Sequence, residues 1–207
     1  MGSSERHRRE KFYKKAKEEG YRARSAYKLI GIQKKFNIFK RAFYILDLGA
    51  APGSWLQVAR KYAQENLQKY DDKYYHRDEF KIMGVDKKRI RDIEDVKTIK
   101  MDFTTKAFEE ELKAYFDDKL DLVLSDASIK KSGNKFSDHI KQIRLCYKIV
   151  DLLEKYLQPK GAFVIKSFQG TDFKKFYDSV KHKFRYVKAY KPKASKKKSN
   201  EIYVVGK

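Results

Sequence analysis

The stretch Phe43-Tyr44-Ile45-Leu46-Asp47-Leu48-Gly49-Ala50-Ala51-Pro52-Gly53-Ser54-Trp55 decides the fold. Residues 43–49 form an apolar run that ends in glycine, the pattern of a buried strand entering a turn. A helix is expected from Ser54, with Trp55, Leu56, Val58, Ala59 and Tyr62 as its apolar positions. Strand, Gly-rich turn and helix in that order open a sheet that helices will cover.

Strand-like runs recur outward from this unit, at 80–85, 97–101, 120–125, 161–167, 184–190 and 202–206. The clearest helix lies over 138–157, where Ile143, Cys146, Val150, Leu153 and Leu157 keep a 3,4,3,4 spacing. Pro159 and Gly161 are expected to stop it. Residues 5–41 read as helical, and the polar stretch 64–79 reads as a helix end plus a surface insertion. Strands alternating with helices predict a mostly parallel sheet. Only Lys191 to Asn200 separate the last two strands, too short a link for a helical crossover, so these two should pair antiparallel. The expected class is α/β and Rossmann-like, with helices on both faces of seven strands, mostly parallel and the last antiparallel. One domain over 1–207 is expected, with 1–41 as a basic helical extension.

The composition sets further bounds. Lys and Arg total 50 against 28 Asp and Glu, a net charge of +22. Such an excess draws polyanions, nucleic acid before an anionic membrane. Residues 5–41 alone hold fourteen Lys/Arg and four Glu. No run approaches the roughly 20 apolar residues of a spanning helix. The first residues are polar and charged, without an apolar signal core, which leads us to expect a cytoplasmic protein and no membrane partner. The single cysteine, Cys146, lies in an apolar helical pattern and reads as a small core residue. A monomer is expected, and no metal site is read.

Ligands of open α/β sheets bind at the carboxyl ends of the strands. Gly49, Pro52 and Gly53 follow the first strand, and Asp86, Asp102 and Asp126 end the next three. One aspartate after a strand reads as a turn residue or helix cap. Three in succession behind a Gly-rich turn read as a site. A carboxylate after the second strand can accept from ribose hydroxyls, and one after the third from an adenine amino group. The loop lacks the G-x-G-x-x-G of dinucleotide sites and carries a proline inside its turn. A mononucleoside-type cofactor without pyrophosphate is therefore preferred to NAD.

The segments Tyr21-Arg22-Ala23-Arg24-Ser25-Ala26-Tyr27-Lys28-Leu29, Leu46 to Trp55, Ser125-Asp126-Ala127, Phe163 to Gly170, and Lys191-Pro192 through Glu201 to Val205 occur in this order. Together they resemble the FtsJ/RrmJ family of RNA ribose 2′-O-methyltransferases over nearly the whole chain. The resemblance implies an S-adenosylmethionine-dependent methyltransferase fold, S-adenosylmethionine as cofactor and S-adenosylhomocysteine as product. It implies a Lys-Asp-Lys-Glu tetrad on Lys28, Asp126, Lys166 and Glu201. It also implies cofactor contacts from Gly53, Trp55, Asp86, Asp102 and Asp126. Ser54 stands where relatives commonly have a second glycine, and Ile129-Lys130 where bacterial relatives often have Pro-Asn.

A ribose hydroxyl becomes a good nucleophile only as it loses its proton, so a base or orienting group must lie within hydrogen-bond reach. Lys166 is the residue expected in that role. A lysine set in an apolar strand needs partners. A second ammonium at Lys28 favours the neutral amine, whereas Asp126 and Glu201 oppose it while fixing the geometry.

Arg6, Arg8, Arg9 and Lys11 crowd the N-terminal helix, Arg22 and Arg24 precede Lys28, and Lys193 and Lys196 precede Glu201. They are expected to hold RNA phosphates, giving affinity with little sequence reading. The expected partner is large-subunit rRNA or the ribosomal particle, with uridine as the target. The N-terminal segment also resembles relatives that modify the tRNA anticodon loop, which keeps tRNA as the alternative. A non-catalytic RNA-binding protein on the same scaffold is the alternative of another class.

Overall fold

The computed structural model describes residues 3–70, 77–130 and 132–207, with side chains from residue 10 onward apart from that of residue 135. Part of the 64–79 insertion therefore lies outside the described residues. The helices are α1 (Ser3–Glu18), α2 (Ala26–Phe36), α3 (Ser54–Lys69), α4 (Lys106–Tyr115), α5 (Lys135–Tyr156) and α6 (Phe173–Lys183). The strands are β1 (Tyr44–Leu48), β2 (Lys81–Asp86), β3 (Lys97–Lys100), β4 (Leu120–Ser125), β5 (Leu157–Phe168), β6 (Val187–Tyr190) and β7 (Glu201–Gly206).

They form one seven-stranded sheet in the order β3-β2-β1-β4-β5-β7-β6. Only β7 runs against its neighbours, β5 on one side and β6 on the other. The expected topology holds, and the structure adds that β7 is inserted between β5 and β6 rather than placed at the edge.

The segment 5–41 divides into two helices. Gly20 adopts φ +74°. Its N–H donates to the Lys17 carbonyl and that of Tyr21 to the Ala16 carbonyl, two bonds that close the end of α1. The second helix is built into the core, burying Leu29 and Ile32. Near the other end, α5 stops at Tyr156 and β5 begins at once, earlier than its proline suggests. Pro159, which lacks an N–H, falls where the β4–β5 register shifts between Leu120 and Leu122, a place where a missing ladder donor is tolerated.

Alternation along the strands sorts the core into two halves. Leu46, Leu48, Val123, Phe163, Ile165 and Val204 face α4, α5 and α6. Ile45, Leu122, Leu124, Val164, Tyr203 and Val205 face α2 and α3. The period of two therefore puts Asp47, Asp126, Lys166 and Glu201 on the α2/α3 side as well.

Candidate active site

Register brings the site together. In the β5–β7 ladder Lys166 lies opposite Tyr203, and Phe168 opposite Glu201. On the other side of β5, Ser125 pairs with Ile165, so Asp126 and Lys166 follow side by side. From above, α2 supplies Lys28.

The side chains form one connected chain. Lys166 Nζ lies 3.0 Å from Asp126 Oδ1 and also donates to the Asp126 main-chain carbonyl. The Tyr203 hydroxyl donates to the same Oδ1 at 2.7 Å and accepts from Lys28 Nζ at 3.1 Å. Lys28 Nζ also donates to Glu201 Oε2 at 2.8 Å, and the Ser195 hydroxyl donates to Glu201 Oε1 at 2.8 Å. The four expected tetrad residues are therefore together, as two ion pairs. Tyr203 and Ser195 were not picked out from the sequence. A tyrosine in an apolar strand offers little signal until its partners are known. Burial raises the Tyr203 phenol well above its usual range, reinforced by the charges of Asp126 and Glu201. It therefore stays a neutral donor.

Beside this chain lies the Gly-rich loop. Gly49 takes φ +76° and Gly53 φ +103°. A Cβ on Gly49 would lie 2.6 Å from Ala127 Cα, and one on Gly53 would lie 2.8 Å from Arg22 Nη1. The missing side chains thus make room for the segment after β4 and for Arg22. Asp86 holds the loop, its Oδ2 accepting from Ala51 N at 3.0 Å and its Oδ1 from Lys88 N at 2.8 Å. Pro52 lies between the two glycines and presents its carbonyl to Arg22. Trp55 is buried, its indole N–H donating to the Ser25 carbonyl at 2.9 Å and its ring 5.8 Å from that of Tyr203. Asp102 follows β3. Burial alone would raise its carboxyl, but Lys87 at 2.8 Å and two donors of Thr104 outweigh this and hold it at about 2.

Asp47 is a further residue without an expected role. It is buried in β1, and among the described residues neither carboxylate oxygen has a hydrogen-bond partner. Burial pushes its carboxyl well above the usual carboxylate range, and the charges of Asp126 and Asp86 push it further. Its signal was visible as a carboxylate inside an apolar strand. This buried acid, whose proton the charges of Asp126 and Asp86 help to hold, leaves two oxygens beneath the loop that no described residue meets. A ligand that bears positive groups, as S-adenosylmethionine does, fits such oxygens, because it favours loss of the Asp47 proton.

The expected RNA contacts divide. Arg6, Arg8 and Arg9 have side chains outside the described residues. Lys11, Lys193 and Lys196 are exposed. Arg22 is turned to the loops beside it, its guanidinium donating to the carbonyls of Pro52 at 3.1 Å, Arg91 at 2.6 Å and Asp92 at 2.7 Å. Arg24 also has interactions within the fold. The segment 20–25 is stitched to α3 by further bonds, between Arg22 N and Gln57 Oε1 (2.9 Å) and between the Ser25 and Ser54 hydroxyls (2.8 Å). The serine that replaces a common glycine therefore has a partner. Gln142, fully buried, donates to the carbonyls of Ala127 and Lys166 and accepts from Ile129 N, fixing the loop after Asp126. Among the described residues no His/Cys/Asp/Glu group suited to a metal ion occurs. No described helix is long and apolar enough to cross a membrane. Burial raises the Cys146 thiol to about 11, as befits a core residue.

A sequence model of the FtsJ-like methyltransferase family matches residues 21–207. The chain is 42% identical over 203 residues to ribosomal RNA large subunit methyltransferase E of Methanococcoides burtonii, covering 98% of this chain and 70% of that protein. To the protein of the same name from Methanobrevibacter smithii it is 39% identical over 198 residues, 94% of this chain and 88% of the other. A crystal structure of a Plasmodium falciparum protein described as a ribosomal RNA methyltransferase superposes with a TM-score of 0.74 at 32% identity, covering 90% of this chain and 97% of that one. An S-adenosylmethionine-dependent methyltransferase from Agrobacterium tumefaciens, at 12% identity and a TM-score of 0.53, covers 86% of this chain and 61% of its own and shares the fold.

Proposed function

Because the chain belongs to the FtsJ-like methyltransferase family, we propose that it methylates a ribose 2′-oxygen of large-subunit ribosomal RNA, with S-adenosylmethionine as donor. The names of its relatives favour this substrate over tRNA and over binding without catalysis. The observation that carries the reading is the continuous chain Lys166–Asp126–Tyr203–Lys28–Glu201 beside the Gly-rich loop. The protein is taken as one catalytic unit, a cytoplasmic monomer acting on rRNA or on the ribosomal particle. Comparing 2′-O-methylation across rRNA and tRNA in cells with and without the gene tests it. A lost rRNA mark restored by the gene is the expected result, and an unchanged rRNA map refutes the reading.

The residues that would hold the cofactor are Gly49, Pro52, Gly53, Trp55, Asp86, Asp102 and Asp126, with Asp47 beneath them. The cofactor supplies an electrophilic methyl group on a sulfonium sulfur. Lys166, once its ammonium has given a proton to solvent, orients the 2′-hydroxyl as the neutral amine and receives the hydroxyl proton as the oxygen–carbon bond forms. Asp126, itself held by the Tyr203 hydroxyl, keeps the Lys166 nitrogen in place, and Lys28, held by Glu201, adds positive charge next to the developing oxyanion. Much of the rate gain then comes from alignment and fixed charge.

The partners of the site make two variants informative. Tyr203→Phe keeps the ring against Trp55 and removes the hydroxyl between the ion pairs. It is expected to lower kcat about tenfold, within the cost of stranding buried polar partners, with both KM values unchanged. A fall in thermal stability with normal kcat would assign Tyr203 to packing alone. Arg22→Ala frees the loop carbonyls. Cofactor Kd is expected to rise about tenfold, the worth of one charge-assisted hydrogen bond, while the salt dependence of RNA binding stays as it is. A shallower salt slope with normal cofactor affinity would return Arg22 to phosphate binding.

A further inference from the structure

On the outer side of α2, away from Glu201, the last turns of α1, α2 itself, α3 and the segment after β6 enclose an open cleft of 610 Å³. Its rim carries five ammonium groups, on Lys15, Lys34, Lys35, Lys61 and Lys193, all exposed. The one carboxylate in the lining, Glu19, is already paired with Lys15 at 3.5 Å. Among the described residues the other four have no carboxylate partner. Uncompensated positive charge around a concavity concentrates anions there.

Aromatic rings make up much of the remaining wall. Tyr62 is stacked on Phe39 with centroids 4.8 Å apart, and Tyr190 stands edge-on to Phe36 at 5.3 Å. These contacts hold both rings from the protein side while they line the cleft. Lys35 Nζ lies 4.7 Å above the Tyr190 ring. Rigid aromatic faces alternating with free cations are the pattern that binds unpaired nucleotides, with bases stacked and phosphates neutralised.

The cleft also shares two walls with the candidate active site. Tyr27 lines it, while the next residue of α2, Lys28, turns to Glu201. Ala194 lines it, while Ser195 donates to Glu201. The two sites are thus separated by about the width of one helix, some 10 Å.

We propose that this cleft is a second RNA subsite, which takes an unpaired nucleotide of the strand that places its target ribose at Lys166. The base lies against Tyr62 and Tyr190, and the flanking phosphates lie on Lys34, Lys35, Lys61 and Lys193. The strand is single there, because a base offers its face to a side chain only when unpaired. The proposal rests on the RNA methyltransferase reading, and its test separates the two.

The probes are a fluorescent twelve-nucleotide oligouridylate and a duplex of the same length, titrated over a range of salt. Lys34→Glu/Lys61→Glu is expected to raise Kd for the oligouridylate at least tenfold. It should make the log–log salt slope shallower by about 1.4, or about 0.7 for each phosphate no longer neutralised. Lys106→Glu/Lys113→Glu makes the same charge change on α4, across the sheet, and is expected to alter Kd much less. Tyr190→Ala should weaken binding with the slope unchanged, and Tyr190→Phe should restore it. Equal losses in the two double variants, or equal losses for oligouridylate and duplex, overturn the subsite. Absence of methyl transfer to rRNA by the unmodified protein refutes the enzymatic reading instead, and leaves the oligouridylate result to decide the cleft.

Discussion

Lys166→Ala is expected to lower kcat for methyl transfer by about 10²- to 10⁴-fold, the range of a lost acid–base group, with cofactor Kd changed by no more than about twofold. The backbone of residue 166 stays in the β5–β7 ladder opposite Tyr203. Asp126 keeps the Tyr203 hydroxyl at 2.7 Å, so the wall beside the Gly-rich loop retains its shape. What disappears is the ammonium that Asp126 holds directly, at 3.0 Å. Single-turnover transfer together with cofactor titration measures both quantities. Lys166→Arg separates two roles, because a guanidinium keeps the charge but does not give up its proton. An inactive arginine variant that still binds RNA and cofactor indicates proton transfer, whereas substantial activity indicates orientation and charge. Near-normal turnover of the alanine variant removes Lys166 from the reaction.

Asp47→Asn is expected to raise the melting temperature of the cofactor-free protein, by an amount that grows with pH. Burial, then Asp126 and Asp86, hold the Asp47 carboxyl well above the usual carboxylate range. Between the unfolded and the folded pKa the native state holds a proton that the unfolded chain has released. Stability therefore falls as pH rises through that window. One proton is worth at most about 1.4 kcal/mol per pH unit, or about 3–6 °C per unit for a chain of this size. Asparagine cannot ionise, so this loss should be absent from the variant. Thermal melts from pH 5 to 8 supply the measurement. A difference between the proteins that does not change with pH would show that Asp47 carries no such burden. In the same variant S-adenosylmethionine should bind about tenfold more weakly, since its positive groups favour release of the Asp47 proton and asparagine cannot become that counter-charge. Unaltered affinity would leave Asp47 a structural acid only.

Much of the site was legible because its parts are local. The apolar run 43–49, the two glycines of the turn and the aspartates after successive strands each announce themselves within a few residues. The tetrad came from motif resemblance, and the structure brings its four members within one hydrogen-bonded chain. Three of the features that escaped show why. Asp47 looked like part of a strand, although a carboxylate in that setting was the anomaly to notice. Tyr203 acquires meaning only from the residues on either side of it. Arg22 sits in a basic segment and looks like a phosphate contact, yet its donors meet the carbonyls of Pro52, Arg91 and Asp92, between 30 and 70 residues away.

By itself, then, the sequence determined the kind of element at most places, the alternation that buries two sheet faces, the excess of positive charge and the residue types at the strand ends. These follow from short-range sterics and from the periods of strand and helix. Only the tertiary structure decided that β7 enters between β5 and β6, in the register that sets Lys166 against Tyr203 and Phe168 against Glu201. A slip of one residue would turn Glu201 and Tyr203 to the opposite face and disperse the site. That register is chosen by which apolar side chains fill the two cores together, a condition spread over the whole sheet that no single segment carries.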